Sequence, residues 1–151
     1  MGGFIGTYDA KQNIIVVGGV PIIGYADGTY ITVEIEEDSF SKTVGADGYV
    51  ARSKSNNNSA DITITLLQSS PSNDYLSALY NLDRYGNLGI VDILVKDLMG
   101  TTLFYSEHCW VKKPAAIENS KEIGERSWNM STADSTYFVG GSLLPNAAVV
   151  L

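Results

Sequence analysis

The sequence predicts a mainly β protein: a β-barrel or sandwich of two packed antiparallel sheets with one flanking α-helix. Three observations lead to this fold class. Apolar and polar residues alternate along several short segments, which is typical of strands with one buried face. About eight such segments occur, enough for a sandwich or barrel. Only one stretch, at residues 73–85, has its apolar residues at helical spacing.

The strand-like segments follow one another along most of the chain. Alternation is clearest in residues 29–37 and 60–68, where isoleucine, valine or leucine occupies every second position. In these two segments the residues expected to face outward are Thr32, Glu34, Glu36, Asp61, Thr63 and Thr65. The other segments are residues 13–19, 21–26, 89–97, 101–111, 124–132 and 135–141. Residues 98–100 are expected to form a tight hairpin turn between two of them.

The single helix is expected between the strand that ends near residue 68 and the next strand, which begins near residue 89. Ser72 or Asn73 is a suitable N-cap, Asp74 lies in the first turn, and Gly86 is expected to end the helix. The apolar stripe consists of Tyr75, Leu76, Leu79, Tyr80 and Leu82. A helix with one apolar stripe is suited to covering one face or end of a sheet.

A long polar segment, residues 39–60, lies between the two clearest strands. It is rich in Gly, Ser and Asn, whereas neighbouring strands are usually joined by about two to five residues. Its cations are Lys42, Arg52 and Lys54 and its one carboxylate is Asp47, although the whole chain has a net charge of -7. A basic arm on an acidic body is expected to dock onto another copy of the chain. The alternative is a solvated, mobile loop.

The composition excludes several classes of protein. A chain of 151 residues is expected to form one domain, residues 1–151. The net negative charge argues against a protein that grips nucleic acid, because such proteins need clustered cations. The longest uncharged apolar stretch, residues 14–26, is too short to cross a bilayer, so no membrane insertion is expected. The lone Cys109 and the absence of a signal-peptide pattern fit folding in a reducing cytoplasm.

The sequence contains no recognisable catalytic or metal-binding arrangement. Residues 19–24 have the glycine spacing of a phosphate loop, but Tyr25 and Ala26 stand where lysine and serine or threonine are needed. His108 and Cys109 are the only histidine and cysteine, fewer ligands than a zinc site requires. Carboxylates that alternate along one strand do not oppose each other across a sugar, as glycosidases require. We therefore expect no enzymatic activity and no cofactor.

Two segments are the most characteristic parts of this pattern. The first is the arm with its following strand, VGADG...ARSKSNNNSADITITL, and the second is KPAAIENSKEIGERSWNM. Together with the order of the strands, residues 8–140 resemble the inner tail tube proteins of contractile-tailed bacteriophages and of related phage-tail-like particles. The resemblance implies one tail-tube domain, a β-barrel or sandwich with a flanking helix.

The resemblance also implies an assembly. Tube proteins of this kind form hexameric rings that stack into a hollow tube, which conducts DNA during ejection without binding it specifically. Subunits join edge to edge, so that one sheet runs around the lumen, and the arm reaches a neighbouring subunit or ring through Lys42, Asp47, Arg52 and Lys54. Further partners would be the tail sheath, baseplate hub and tail terminator proteins. The protein would belong to the tail of the virion and be assembled in the host cytoplasm.

In such a tube, the outward residues of the two clearest strands would line the lumen. The carboxylates of Glu34, Glu36 and Asp61 would repel the DNA backbone during ejection. Thr32, Thr63 and Thr65 would add a wetted wall that does not bind DNA strongly. The lumen assignment follows from the alternation, since Ile31, Val33 and Ile35 must then take the buried face.

Two alternatives remain open at the level of sequence. A tube protein of a tailocin or a type VI secretion system would share this fold without carrying a genome. A carbohydrate-binding β-sandwich would need exposed aromatic residues along a groove, and the nine tyrosines are compatible with that. The arm argues against the second alternative, because a monomeric lectin does not need one. The apolar C-terminal residues 146–151 are expected to be buried against a neighbouring subunit.

Overall fold

The computed structural model describes residues 13–141, which form ten strands and one helix. The strands are β1 (Asn13–Val17), β2 (Val20–Pro21), β3 (Ile31–Ile35), β4 (Phe40–Val44), β5 (Val50–Lys54), β6 (Ala60–Leu67), β7 (Val91–Asp97), β8 (Leu103–Lys113), β9 (Glu125–Thr132) and β10 (Thr136–Phe138). The helix is α1 (Ser72–Gly86). The mainly β fold class with one helix is thereby confirmed. The apolar residues 146–151 lie outside the described residues.

Both sheets are antiparallel. The large sheet has eight strands in the order β2-β1-β7-β8-β9-β6-β3, with β10 beside β8, and the second sheet consists of β4 and β5. Residues 20–26 lead from the β2 end of the large sheet to β6, next to its other end, because Val20 and Pro21 pair with β1 and Tyr25 then bridges to Leu66 in β6. The large sheet therefore curves around a core, although regular strand pairing does not close it into a barrel.

The inner face of the large sheet forms the core, as the alternation predicts. In β6 every second side chain from Ala60 to Leu66 is buried, while the residues between them are partly exposed. In β3 the predicted inward residues Ile31, Val33 and Ile35 pack against the same core. The fully buried apolar side chains include Ile15, Val17, Ile62, Ile64, Leu66, Leu76, Ile93 and Met130.

The N-terminus of α1 differs from the prediction. Its N-cap is Pro71, with no side-chain capping bond, so the expected N-cap at Ser72 or Asn73 is wrong. The Ser72 hydroxyl instead accepts a hydrogen bond from the backbone N–H of Ile23 at 3.0 Å. The Asn73 side chain donates to the carbonyl of Leu67 at 2.9 Å. Both side chains therefore connect the helix to neighbouring segments, which is a tertiary role that local sequence does not reveal.

The C-terminus of α1 also ends one residue later than predicted. Gly86 is still helical, and the C-cap is Asn87 in the left-handed conformation with φ 55°, a backbone state that asparagine tolerates better than most residues. Of the predicted apolar stripe, Leu76 and Leu79 are buried, whereas Leu82 is half exposed. No helix in the described part of the chain is long and apolar enough to cross a membrane.

Two turns fix the register of neighbouring strands. The predicted hairpin between β7 and β8 is present, with the N–H of Met99 donating to the Asp97 carboxylate at 2.9 Å. The β1–β2 turn passes through Gly18 at φ +59°, where a Cβ atom would lie 2.5 Å from the hydroxyl oxygen of Tyr75. That hydroxyl donates to the carbonyl of Val17 at 2.8 Å. Glycine therefore lets the helix approach β1 closely.

Candidate functional site: a polar sheet face and a projecting hairpin

The structure brings the predicted outward residues of β3 and β6 together on one face of the large sheet. Thr32 lies opposite Thr63 and Glu34 lies opposite Asp61 in the antiparallel register, and directly opposed residues point to the same side of a sheet. The Thr65 hydroxyl continues this face, since it lies 3.2 Å from the hydroxyl of Ser127 in β9. Glu36 follows β3 and accepts a hydrogen bond from Ser131 at 3.2 Å.

The same face continues across β9 to the end of β8. Asn129 lies opposite Thr63, and Ser131 lies between Asp61 and Trp110. These residues are not among the predicted outward residues, although polar residues in β9 alternate with the buried Trp128 and Met130. This alternation is the sequence feature that could have identified them. The four strands together present a mostly polar surface, here called the polar face: the outward residues of β3, β6 and β9, with Trp110, Lys112 and Lys113 of β8.

The charge on the polar face is not uniformly negative. The ammonium group of Lys112 lies 3.2 Å from the carboxylate of Asp61, and both side chains are about half exposed. Because this exposed ion pair partly neutralises Asp61, the other carboxylates of the face are those of Glu34 and Glu36 at the β3 side and of Glu125 at the start of β9. Lys113, opposite Asn129, adds a second cation. Lys112 is not among the predicted residues of this face, since only the fold places β8 within reach of β6.

The arm is confirmed as a projecting element, and it is paired into a hairpin that the sequence did not predict. Strands β4 and β5 pair with each other, Lys42 opposite Arg52 and Phe40 opposite Lys54. Every residue of both strands is exposed. The Arg52 guanidinium lies 4.5 Å from the centre of the Phe40 ring, a cation–π contact that screens part of the ring from water.

The two faces of this hairpin are chemically different. Opposed residues share a face, so one face carries Phe40, Lys42, Val44, Val50, Arg52 and Lys54, and the other carries Ser41, Thr43, Ala51 and Ser53. We call the first the basic face and the second the small face. Asp47 lies on neither, because it is in the connecting turn and accepts a hydrogen bond from the N–H of Tyr49 at 3.4 Å. Its carboxylate therefore contacts the backbone at the tip of the hairpin.

The lone histidine does not form a catalytic arrangement with its neighbours. The Asp134 carboxylate accepts a hydrogen bond from Ser106 at 3.0 Å and lies 3.3 Å from the imidazole of His108. Serine and histidine thus both contact the carboxylate, whereas a nucleophile must contact its base. Burial raises the pKa of the Cys109 thiol to about 12, which keeps it protonated. Among residues 13–141 no group of three potential metal ligands is present.

A loop, residues 114–124, covers one end of the polar face. Arg126 donates to the carbonyl of Glu118 at 2.8 Å, and the N–H of Gly124 donates to the Gln68 side chain at 3.0 Å. A cavity of about 310 Å³ lies between this loop and β6 and β9. Its one aromatic lining residue, Trp128, is 4% exposed. The cavity therefore lacks the exposed aromatic surface that the carbohydrate-binding alternative requires.

Comparisons with known proteins agree with this description. Residues 7–140 match the family model described as the bacteriophage PhiTE tail tube protein. The chain is also similar to structural protein ORF10 of Pseudomonas phage KPP10, with 30% identity over 150 residues that cover 94% of this chain and 87% of the relative. The matched range nearly coincides with residues 8–140, where the sequence resemblance lies.

Solved structures share the fold at low sequence identity. The sheath-tube complex of an extracellular contractile injection system, PVC in its extended state, gives a TM-score of 0.62 at 12% identity and covers 91% of this chain and 93% of the other. The tube terminating cap of the anti-feeding prophage gives 0.60 at 9% identity and covers 93% and 96%. A chain from the virion of a native gene transfer agent gives 0.56 at 10% identity and covers 88% and 100%.

Proposed function

Because this chain belongs to the bacteriophage PhiTE tail tube protein family and is therefore a structural subunit of a phage tail tube, we propose that its copies form hexameric rings that stack into a hollow tube. DNA passes through this tube during ejection. The relative at 30% identity is itself a phage structural protein, which favours a phage tail over a tailocin or type VI tube. The whole of residues 1–151 acts as one tail-tube domain with a projecting arm.

The observation that carries this proposal is the polar face. Its outward side chains are mostly hydroxyl, amide or carboxylate groups, although it is built on the apolar core of the same strands. A sheet face that is polar over four neighbouring strands suits a wetted wall, since apolar side chains would resist water in a channel. Six copies joined side by side would extend this surface around a lumen.

The lumen-facing residues are then Thr32, Glu34, Glu36, Asp61, Thr63 and Thr65. Glu34 and Glu36 carry the repulsive charge toward DNA, and Asp61 contributes less because Lys112 lies beside it. The threonine hydroxyls exchange hydrogen bonds with water and give DNA no strong anchor. DNA therefore passes without specific binding.

The arm contacts a neighbouring subunit or ring. Lys42, Arg52 and Lys54 are exposed on its basic face, and the carboxylates of Glu37 and Asp38 are exposed on the body. We place the basic face of one copy against these two carboxylates of another, because opposite charges steer the encounter and fix its register. Asp47 shapes the tip of the arm through its bond to Tyr49.

The proposed partners follow from the assembly. The tube is enclosed by a tail sheath, ends at a terminator and begins at a baseplate hub. Two of the structural neighbours are parts of a sheath-tube complex and of a tube terminating cap, which supports the sheath and terminator. The chain is a component of the virion, and its assembly takes place in the host cytoplasm. It acts without enzymatic activity, cofactor or membrane insertion.

Electron microscopy of the purified, concentrated chain tests the tube directly. We expect hollow tubes or six-membered rings in negative stain, and particles that remain monomeric at every concentration would contradict the proposal.

The lumen assignment needs a separate test. Glu34→Lys with Glu36→Lys should leave tubes intact and slow DNA release from the assembled virion. Glu118→Lys with Glu122→Lys is a control of equal charge change, because both residues are exposed in the loop of residues 114–124 and lie outside the strands of the polar face. Normal release from virions with the lysine-lined tube would refute the assignment.

A further inference from the structure

The large sheet has a second outward surface, whose chemistry differs from that of the polar face. In the antiparallel register Val16 of β1 lies opposite Leu94 of β7, and Leu94 lies opposite Tyr105 of β8. Directly opposed residues point to the same side of a sheet. The surface continues to β10, where Phe138 lies opposite Leu103. We call this surface the apolar outer face, and its members are Ile14, Val16, Leu94, Leu103, Tyr105 and Phe138.

The apolar outer face points away from the core. The residues that alternate with its members, such as Ile93 and Phe104, belong to the core cluster and are 0% and 3% exposed. Helix α1 packs on that inner side, since Leu76 and Leu79 belong to the same cluster. The members of the outer face are half-buried, except for Phe138, which is 57% exposed.

Strands β1 and β7 are apolar on both sides. Residues 14–17 and residues 93–95 are uninterrupted runs of isoleucine, leucine and valine, whereas apolar and polar residues alternate in β6. A strand that is apolar on both sides is typical of a sheet that is covered on both faces. Helix α1 lies on the inner side, and every residue of the β4–β5 hairpin is exposed. Neither of these elements of residues 13–141 therefore covers the outer face.

The described part of the chain ends beside this face. The N–H of Thr101 donates to the carbonyl of Gly141 at 3.2 Å, and the hydroxyl of Thr102 donates to the carbonyl of Gly140 at 3.0 Å. These bonds hold residues 140–141 at the turn between β7 and β8, next to Leu103. From β10 across β8 and β7 to β1 the face is three strand spacings wide, about 14 Å. Residues 142–151 can span up to about 33 Å when extended, so they are long enough to cross it.

The composition of residues 142–151, SLLPNAAVVL, suits an apolar surface. The segment contains no charged side chain and consists mostly of leucine, alanine and valine. Residues 1–12 lead into β1 at the same end of the sheet, where Asn13 lies opposite Asp97, but they contain Asp9 and Lys11. Because burying a charge is costly unless it is paired, residues 142–151 are the better cover.

We propose that residues 142–151 dock on the apolar outer face of their own chain and cross it from Leu103 toward Val16. The driving force is the removal of apolar side chains of both surfaces from water. The sequence alone favours a neighbouring subunit as the partner of residues 146–151, whereas the position of Gly141 favours the same chain. Such a cover also keeps a contiguous apolar patch away from other proteins. The inference goes beyond the proposed tube, because it concerns a single free subunit.

Photo-cross-linking of the full chain tests which segment covers the face. Leu94→benzoylphenylalanine, irradiated as a dilute free subunit, should become linked to residues 142–151, and mass spectrometry of the resulting peptides locates the link. Thr63→benzoylphenylalanine is the matched control, because Thr63 lies on the polar face and should not link to that segment. An equal mixture of isotope-labelled and unlabelled chains shows whether each link lies within one chain.

Each result supports or overturns the proposal. Links between position 94 and residues 142–151 of the same chain are expected. Links that join a labelled chain to an unlabelled one would overturn it in favour of a second copy as the cover. Links to residues 1–12 would overturn it in favour of the N-terminal segment, and the absence of a link to either segment would show that neither covers the face.

A double-mutant cycle tests the energetic coupling of the two surfaces. Leu143→Asp with Val149→Asp should prevent docking, because two carboxylates would have to be buried. Leu94→Ala should therefore lower the urea midpoint more in the parent than in this charged background. Ile64→Ala is the control, since Ile64 is buried in the core and its loss should be equal in both backgrounds. Equal losses for Leu94→Ala would contradict the docking. Both experiments use the free subunit, so a parent that forms no rings would refute the proposed function and leave this inference intact.

Discussion

Removing the arm should leave the subunit folded and abolish its assembly. The N–H of Ser55 donates to the carbonyl of Ser39 at 2.8 Å, which is the bond that closes a two-residue hairpin turn. Residues 40–54 can therefore be replaced by Asn-Gly, the preferred sequence for such a turn, without moving either flanking residue. The substitution removes β4 and β5 completely and leaves β3 and β6 in register.

The expected change in the free energy of unfolding is small and favourable. All residues of β4 and β5 are exposed, so the body loses almost no buried apolar area. Shortening the connection from fifteen residues to two is about three halvings, and each is worth about 0.6 kcal/mol for a flexible loop. The upper limit of the stabilisation is therefore about 2 kcal/mol. The actual stabilisation is smaller, because the hairpin is already ordered in the parent chain. Urea unfolding of the two chains measures the difference.

Assembly is measured in parallel by negative-stain microscopy and sedimentation. The arm-deleted chain should remain a folded monomer under conditions in which the parent forms tubes. Tubes of normal length without the arm would refute the reasoning, and so would a loss of more than about 2 kcal/mol in stability, since an exposed hairpin cannot hold the body together.

Changing the charge on one face of the hairpin at a time shows which face contacts the neighbouring subunit. Lys42→Glu with Arg52→Glu reverses the basic face, whereas Ser41→Glu with Ser53→Glu introduces two carboxylates at an equally exposed opposed pair on the small face. The first variant should lose assembly and the second should retain it. The opposite result would mean that the small face docks and that the three cations are solvated.

Three further predictions concern the folded subunit. Asn73→Ala should cost about 1–3 kcal/mol in urea unfolding, because the buried indole N–H of Trp128 loses its acceptor at 2.9 Å; Asn81→Ala, the same substitution on the exposed surface of α1, is the control. Ile64→Ala should cost about 2–5 kcal/mol through the cavity left in the core, and an intact stability would contradict the assigned inward face of β6. The raised pKa of Cys109, about 12 instead of 9.0, should make the free energy of unfolding fall as pH rises from 9 toward 12, since the unfolded thiol ionises first. Cys109→Ala should flatten that decline, and an unchanged slope would show that other groups cause it.

The strands of the polar face could be predicted from sequence because their signal is local. In β6 an apolar residue occupies every second position, and burial of those side chains drives the same alternation that the sequence displays. The predicted grouping of Glu34 with Asp61 also followed, because two adjacent strands with known inward residues leave their other residues on one shared face.

The remaining features depend on contacts between distant residues. Ser72 resembles an N-cap, but its hydroxyl is engaged by Ile23, 49 residues away in sequence. Lys112 reaches Asp61 only because β8 and β6 lie on either side of β9. No residue of β4 or β5 is buried. The pairing of these two strands therefore produces no alternation of apolar and polar residues in the sequence. Local sequence therefore predicts structure where buried side chains recur along a strand. It does not predict the role of a side chain that is set by a single tertiary contact.

The subunit separates the groups that stabilise its fold from those left for assembly. In the described residues every buried side-chain nitrogen or oxygen has a hydrogen-bond partner, so none of these groups needs a neighbouring subunit for its hydrogen bond. Open strand edges remain instead at β2 and β3, the two ends of the large sheet, and on the exposed hairpin of the arm. Because an unpaired backbone group on an exposed edge is solvated by water, leaving it open costs the free subunit little, whereas pairing it with a second copy extends the sheet. Substitutions at these edges should therefore change assembly at nearly constant subunit stability, and substitutions in the core should do the reverse.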